Sequence, residues 1–217
     1  MSRIVVFGAG GRAGRRTVAE AAARGHRVTA VVREPARYPD LAGDGVTVVS
    51  GDVTGADSVA AAAAGHDAAV NAAARLDVSA TDFYLASTTA LLDGLARAGV
   101  GRLVAIGIGT TLETAPGVPL YSTPGFPAEA RDFSLGHAAE LDALRAADTA
   151  IDWVVLAPPA VLLDEKAART GRYRTGDTRL PSADESAPPF SYADLAVAVV
   201  DEIETPKHHR ALVAVSY

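Results

Sequence analysis

Four glycines, Gly8, Gly10, Gly11 and Gly14, fall within seven positions of a chain that has 20 in all. They follow the apolar run from Ile4 to Phe7 and precede an alanine-rich stretch, in "IVVFGAGGRAGRRTVAEAAARGH". A strand that turns tightly into a helix aims backbone N–H groups, and the positive end of the helix dipole, at one spot. A pyrophosphate fits that spot. The glycines permit the turn, let the phosphate approach the backbone, and let the helix pack closely on the strand. The spacing reads as G-x-x-G-x-x-G over 8, 11 and 14, or as G-x-G-x-x-x-G over 8, 10 and 14. Neither is the plain G-x-G-x-x-G, so the position between strand and helix carries the reading. Arg12 and Ala13 sit inside the same loop.

A second set of residues could handle protons or hold a substrate. His137 shares a helical stripe with Phe133, Leu141 and Leu144, and histidine exchanges protons near neutral pH. Thr110 offers a hydroxyl just after a strand. Tyr121, in a Pro/Gly-rich stretch, offers a ring to cover or stack on a flat substrate.

Other chemistries lack their residues. There is no G-x-S-x-G nucleophile turn. Neither lysine, Lys166 or Lys207, follows a glycine, so there is no P-loop. There is no cysteine, and His208 and His209 are adjacent, so no metal site is expected. No tyrosine has a lysine four residues later: those positions hold Ala42, Thr88, Gly125, Asp177 and Ala196, and Tyr217 is the last residue. Carbonyl reduction by a Tyr-x-x-x-Lys pair is therefore not expected.

The elements that must position these residues alternate. Strands are expected at 3–8, 27–33, 45–53, 67–73, 101–109, 151–159 and 210–215. Helices are expected at 15–24, 56–65, 81–100, about 128–147 and 191–205. Gly25, Gly65 and Gly99 stop three of them, and Ser191 with Asp194 forms a capping-box pattern. The long third helix should bury Leu85, Thr88, Leu92, Leu95 and Ala96. The segment "RTGRYRTGD" (169–177) reads as a strand and turn. Strand–helix alternation implies a parallel α/β sheet with right-handed crossovers. The 217 residues suit one domain, with about 160–217 forming a small substrate-side lobe. Residues 111–127, rich in proline and glycine, should form a loose cover over the substrate.

Composition narrows the partners. Apolar residues make up 49% and charged residues 21%, with a net charge of -6. That balance argues against nucleic acid. No apolar run is long enough to span a membrane, and Met1-Ser2-Arg3 leads straight into a strand pattern, so no signal peptide is expected and a cytoplasmic protein is. The second strand ends in Arg33-Glu34, where dinucleotide folds often carry an acid for the ribose. Arginine there can pair with a 2′-phosphate, which favours NADPH, while Glu34 keeps NADH open. Asp52, in "SGDVT", can reach an adenine ring or simply make a turn.

The segments "VVFGAGGRAGRRTVAEAAARGHRVTAVVREPAR", "VVSGDVT", "LARAGVGRLVAIGIGT", "TPGFPAEA", "IDWVVLAPPA", "RTGRYRTGD" and "FSYADLAVAVVDEIETPKH" together resemble the atypical short-chain dehydrogenases grouped as NADH-flavin reductases. That group is similar to biliverdin-IXβ/flavin reductase and, more remotely, to NmrA-like redox sensors. The resemblance covers nearly the whole chain. It implies a Rossmann-type doubly wound sheet that binds NAD(P). It implies that Gly8, Gly11, Arg12, Gly14, Arg33, Asp52 and Val53 hold the cofactor. Ala72, Ala73, Ala74, Gly107 and Ile108 would line ribose and nicotinamide, and Pro158 and Pro159 would touch the nicotinamide amide. Two departures, "GIGTT" at 107–111 and Ala130 after "FPAE", lie on the substrate side. The expected activity is hydride transfer from NADPH to a flat acceptor such as a flavin or a quinone-like compound. A non-catalytic NADP sensor and a biosynthetic tailoring enzyme are the alternatives. Monomer and dimer both remain open.

Overall fold

The computed structural model describes residues 1–160, 163–181 and 189–217. Strands β1 (Arg3–Phe7), β2 (Arg27–Val32), β3 (Val46–Ser50), β4 (Ala68–Asn71) and β5 (Arg102–Ile106) alternate with helices α1 (Arg12–Ala23), α2 (Ala56–Ala63) and α3 (Ala80–Ala98). After β5 come a short hairpin, β6 (Glu113–Ala115) and β7 (Val118–Pro119), then α4 (Ala128–Ala146), β8 (Asp152–Ala157), β9 (Arg174–Thr175), α5 (Tyr192–Glu204) and β10 (Ala211–Ser216). The main sheet has the order β3-β2-β1-β4-β5-β8-β10-β9. All its pairings are parallel except β9 with β10. This is a Rossmann-like α/β fold. No helix among the described residues is long and apolar enough to cross a membrane.

The strands are apolar runs because both faces of the sheet are covered. Side chains alternate between two cores. Ile4 and Val6 join Val18, Leu195 and Val199 under α1 and α5. Val5 and Phe7 join Val59, Tyr84, Leu91 and Leu141 under α2, α3 and α4. The chain winds outward from β1 to β3 and then returns to β4 on the other side of β1. Between β1 and β4 the connections diverge, which opens a crevice at the strands' carboxyl ends.

Three expectations change in detail. On α3, Leu85 is 40% exposed and Ala96 is exposed, while Phe83, Tyr84, Thr88, Leu91, Gly94 and Leu95 are buried. The reason is that α3 lies between α2 and α4 and buries two faces, so no single stripe describes it. Residues 111–127 form the β6–β7 hairpin and tight turns instead of a loose cover. Glu113 N–H bonds Thr178 O at 2.8 Å, Leu180 N–H bonds Glu113 O at 2.9 Å, and Leu112 is fully buried. The stretch after Pro159, expected as a substrate-side lobe, contributes β9 and β10 to the main sheet and packs α5 on α1. It also supplies Leu163 and Tyr192 to the cleft described below.

Asp194 ties this stretch together. Ser191 caps α5 by accepting the Asp194 N–H at 2.9 Å, as the capping pattern implies. The acid does not reach back to the Ser191 N–H. Its carboxylate instead accepts from Tyr217 Oη (2.7 Å), Gly171 N–H (2.7 Å), Thr170 N–H (2.9 Å) and Oγ1 (2.9 Å), and Ser191 Oγ (3.0 Å). Burial alone would raise its pKa; these hydrogen bonds outweigh burial and hold it below the usual carboxylate value. A depressed folded-state pKa contributes stability that is present above the unfolded value near 3.9 and is lost as pH falls through the folded one. Asp194→Asn should therefore cost about 2–4 kcal/mol near neutrality. The deficit relative to the parent should narrow below about pH 4, a window set by the unfolded carboxylate value. Urea unfolding midpoints across pH 3–8 measure both.

Candidate active site

The crevice is a cleft of about 780 Å³, a size suited to a cofactor with part of a substrate. Gly8, Gly10, Gly11, Arg12 and Ala13 line its middle, with Ala72–Ala74 from the end of β4. Val32, Arg33, Tyr38, Asp52 and Val53 line one end. Gly107–Thr110, Tyr84, Phe133, Ser134, His137, Pro158 and Pro159 line the other. The structure thus brings together every cofactor candidate except Gly14, which is buried beside the cleft.

The four glycines do different work. Gly8 has φ +74°, and a Cβ there would stand 2.5 Å from the Ala73 backbone, so the chain needs glycine for both reasons. A Cβ on Gly14 would overlap the Gly8 carbonyl, and one on Gly10 would overlap the Tyr38 ring. Gly11 is different: φ is -77°, and the nearest atom to an added Cβ is Gly8 O at 3.4 Å. The protein itself leaves room at Gly11. Gly11 is also the N-cap of α1, no side chain caps it, and the first turn holds no acid. Helix N–H groups without a protein partner beside open space fit a pyrophosphate.

At the Arg33 end, Glu34 pairs with Arg37 at 3.4 Å, and Arg33 forms no ion pair among the described residues. Arg12 reaches away from the loop to Glu165 at 3.0 Å and lies 5.9 Å from the Tyr192 ring. Asp52 makes a turn: its Oδ1 accepts from Thr54 N–H at 2.9 Å and Thr54 Oγ1 at 2.7 Å. Those two bonds hold its carboxyl below the usual range. Arg75, paired with Asp77 at 2.5 Å, also lines this end and was not expected there.

The opposite end is aromatic. The rings of Tyr84 and His137 lie 4.1 Å apart, and Phe133 meets His137 edge-on at 4.9 Å. His137 Nδ1 is 3.1 Å from Glu140 Oε2, and Glu140 Oε1 accepts from Asn71 Nδ2 at 3.2 Å. Burial, and then the nearby Glu140, push the Tyr84 phenol upward, so it stays an O–H. Ser134 Oγ donates to Ala130 O at 2.8 Å and lies 2.9 Å from Thr110 Oγ1. Ser134 has one O–H, so Thr110 is the donor of that pair and keeps acceptor capacity toward the cleft. Tyr121 is not among the cleft-lining residues. Its carbonyl accepts from Arg131 at 2.7 Å.

Sequence reasoning missed Asn71, Tyr84, Ser134 and Glu140. Two signals were present: a polar residue inside an apolar strand, and an acid three residues after His137. Gly136 makes the arrangement possible. A Cβ there would stand 2.8 Å from Ala80 and from the Tyr84 ring, so only glycine lets α4 approach α3 this closely.

Residues 8–206 match the sequence profile of a family described as NAD(P)H-binding. The Bacillus subtilis (strain 168) protein YwnB is 32% identical over 208 residues, which span 95% of this chain and 94% of that protein. A solved structure from Burkholderia pseudomallei, provisionally named an exported protein, is 37% identical, with a TM-score of 0.87 over the whole of both chains. One from Streptococcus pneumoniae TIGR4, provisionally named an NADH-flavin reductase, is 25% identical, with a TM-score of 0.84 over 100% of this chain and 99% of that one.

The glycines separate ligand approach from folding. Gly11→Val should keep its unfolding midpoint within about 1 kcal/mol of the parent and lose NADPH binding by calorimetry. Gly14→Ala, which meets backbone, should lose at least about 1–3 kcal/mol of stability in urea titration. A Gly11→Val protein that binds NADPH as the parent does would remove the loop from the site.

Proposed function

The chain belongs to the NAD(P)H-binding family, and we propose that it is a reductase passing hydride from NADPH to a flat, conjugated acceptor such as a flavin or a quinone-like compound. One observation carries this reading: the cleft ends in an aromatic wall. Tyr84, Phe133 and His137 meet at centroid distances of 4.1 to 5.9 Å beside Pro158 and Pro159. Such a wall presents flat apolar surface to a flat ring and excludes water from it. The absence of a Tyr-x-x-x-Lys pair fits an acceptor that needs no tyrosine acid.

The cofactor, when bound, supplies the hydride. Gly8 to Ala13 and the first turn of α1 hold its pyrophosphate. Arg33 would meet the 2′-phosphate, and the backbone of Ala72–Ala74, Gly107 and Ile108 would flank the ribose and nicotinamide. Thr110, whose O–H goes to Ser134, is left to accept a hydrogen bond from an acceptor that carries an N–H, as a flavin does. We place the protein in the cytoplasm, acting on a small molecule and not on nucleic acid.

NADPH should bind more tightly than NADH in calorimetry. Arg33→Ala should weaken NADPH by about 1.5–3 kcal/mol, roughly ten- to a hundredfold, and leave NADH nearly unchanged. Steady NADPH oxidation should follow addition of FMN or menadione. Equal affinities for the two cofactors would sink the Arg33 assignment. A bound cofactor with no turnover across a panel of flavins, quinones and enones would sink the reductase.

A further inference from the structure

The aromatic end of the cleft is backed by a buried acid, Glu140. Glu140 is 2% exposed and does not line the cleft; His137, 5% exposed, lines the cleft and touches Glu140 through Nδ1. We propose that His137 gives the proton that completes reduction of the acceptor, and that Glu140, itself held by Asn71, is the positioning residue that confines this exchange to Nε2. The inference deepens the reductase reading and rests on it.

The direction of each hydrogen bond follows from one backbone group. The Ala73 N–H can only donate, and it lies 3.2 Å from Asn71 Oδ1. That fixes the Asn71 amide, so Nδ2 is the donor to Glu140 Oε1. An ionised Glu140 can only accept at its second oxygen, Oε2, so the hydrogen of that contact sits on His137 Nδ1. Nε2 has no partner among the described residues. The ring cannot turn to exchange the two nitrogens, because Tyr84 packs on its face and Phe133 against its edge. The titratable groups facing it are Glu140 on α4 and Tyr84 on α3; Asn71 on β4 and Thr110 after β5 are neutral. Tyr84 stays an O–H, so Nε2 is the atom that can gain or lose a proton toward the cleft.

The step balances as follows. A hydride adds one hydrogen and two electrons to the acceptor, which gains one negative charge. The Nε2–H bond of the doubly protonated ring breaks as a new O–H or N–H bond forms on the acceptor. The ring is left neutral with its proton on Nδ1, the form that Glu140 holds. The acceptor leaves with two more hydrogens and two more electrons, and a proton from water restores the ring.

The test combines a spectroscopic and a kinetic readout on the full chain. In ¹⁵N-histidine NMR, without cofactor or acceptor, the His137 signals are assigned by their loss in His137→Gln. At high pH they should report the Nδ1–H tautomer in the parent and lose that preference in Glu140→Leu. With NADPH and menadione, kcat should fall as pH rises, and His137→Gln should lower kcat about a hundredfold and remove that fall. Glu140→Gln should lower kcat and move the fall along the pH axis with KM for NADPH unchanged, and Glu140→Asp should restore part of it. An Nε2–H tautomer in the parent, or superimposable pH profiles for parent and Glu140→Gln, would overturn the proposal. A parent that turns over neither menadione nor FMN would sink the reductase reading and the proton transfer together. The tautomer would then separately decide the hold of Glu140 on His137.

Discussion

The start of α1 lies so close to the ends of β1 and β4 that only glycine backbone fits between them. A side chain on Gly14 would overlap the carbonyl of Gly8, and one on Gly8 would strike Ala73. That contact fixes where α1 begins and therefore where its first turn of N–H groups points. No serine, threonine or acid closes that turn. A helix start without a protein partner is normally costly or wet, so leaving it open beside a cleft is a commitment to an anion. The strand order makes the same demand, since the chain's reversal between β1 and β4 places the crevice directly over this turn. The cofactor end of the molecule follows from this one close approach.

The aromatic end depends on an analogous approach by other elements. Gly136 lets α4 settle onto α3, and that settlement buries a histidine, a phenol and a carboxylate in one cluster. A buried acid is tolerable only when its oxygens find donors. Glu140 finds them in Asn71 and His137. Because Asn71 also holds the N–H of Ala73, the cluster is joined to the strand end that lines the middle of the cleft. On the far side, Arg169 bonds Glu20 of α1 at 2.7 and 2.8 Å, and Asp194 grips Thr170 and Gly171. The bonds from Arg169, and after them that from Arg24, draw the Glu20 carboxyl below its usual range although burial opposes them. The segment after β8 is thereby fastened to the helix whose first turn is the proposed anion site.

The parts legible in the sequence are those that short patterns encode. Apolar runs gave the seven main strands, and Gly25, Gly65 and Gly99, all with positive φ in the structure, marked the helix ends. The glycine loop was legible from its place between strand and helix; Ala72–Ala74, Gly107, Ile108, Pro158 and Pro159 came from the resemblance, and the structure puts them at strand ends that line the cleft. The His137–Glu140 pair was not legible as a unit. Histidine and glutamate three apart on a helix usually form a solvated surface pair, and what helps bury them is α3, whose Tyr84 packs on His137 from far earlier in the chain. The β6–β7 hairpin was hidden for the same reason, since its partners Thr178 and Leu180 lie far along the chain. Arg12, which the resemblance gives to the cofactor, lines the cleft and pairs with Glu165, a residue far along the chain that no local pattern points to. Asp194 read as a simple cap because a cap is a local pattern. Its bonds to Thr170, Gly171 and Tyr217 are set by tertiary packing.

Amide hydrogen exchange with and without saturating NADPH tests the central claim most directly, because it reads the backbone groups said to hold the cofactor. The account predicts slowed exchange at residues 8–14, 72–74 and 107–109, with α5 and the β6–β7 hairpin little changed. Unchanged exchange over residues 8–14 in a protein that calorimetry shows to be saturated would contradict it, because the cofactor would then lie somewhere other than the open turn of α1.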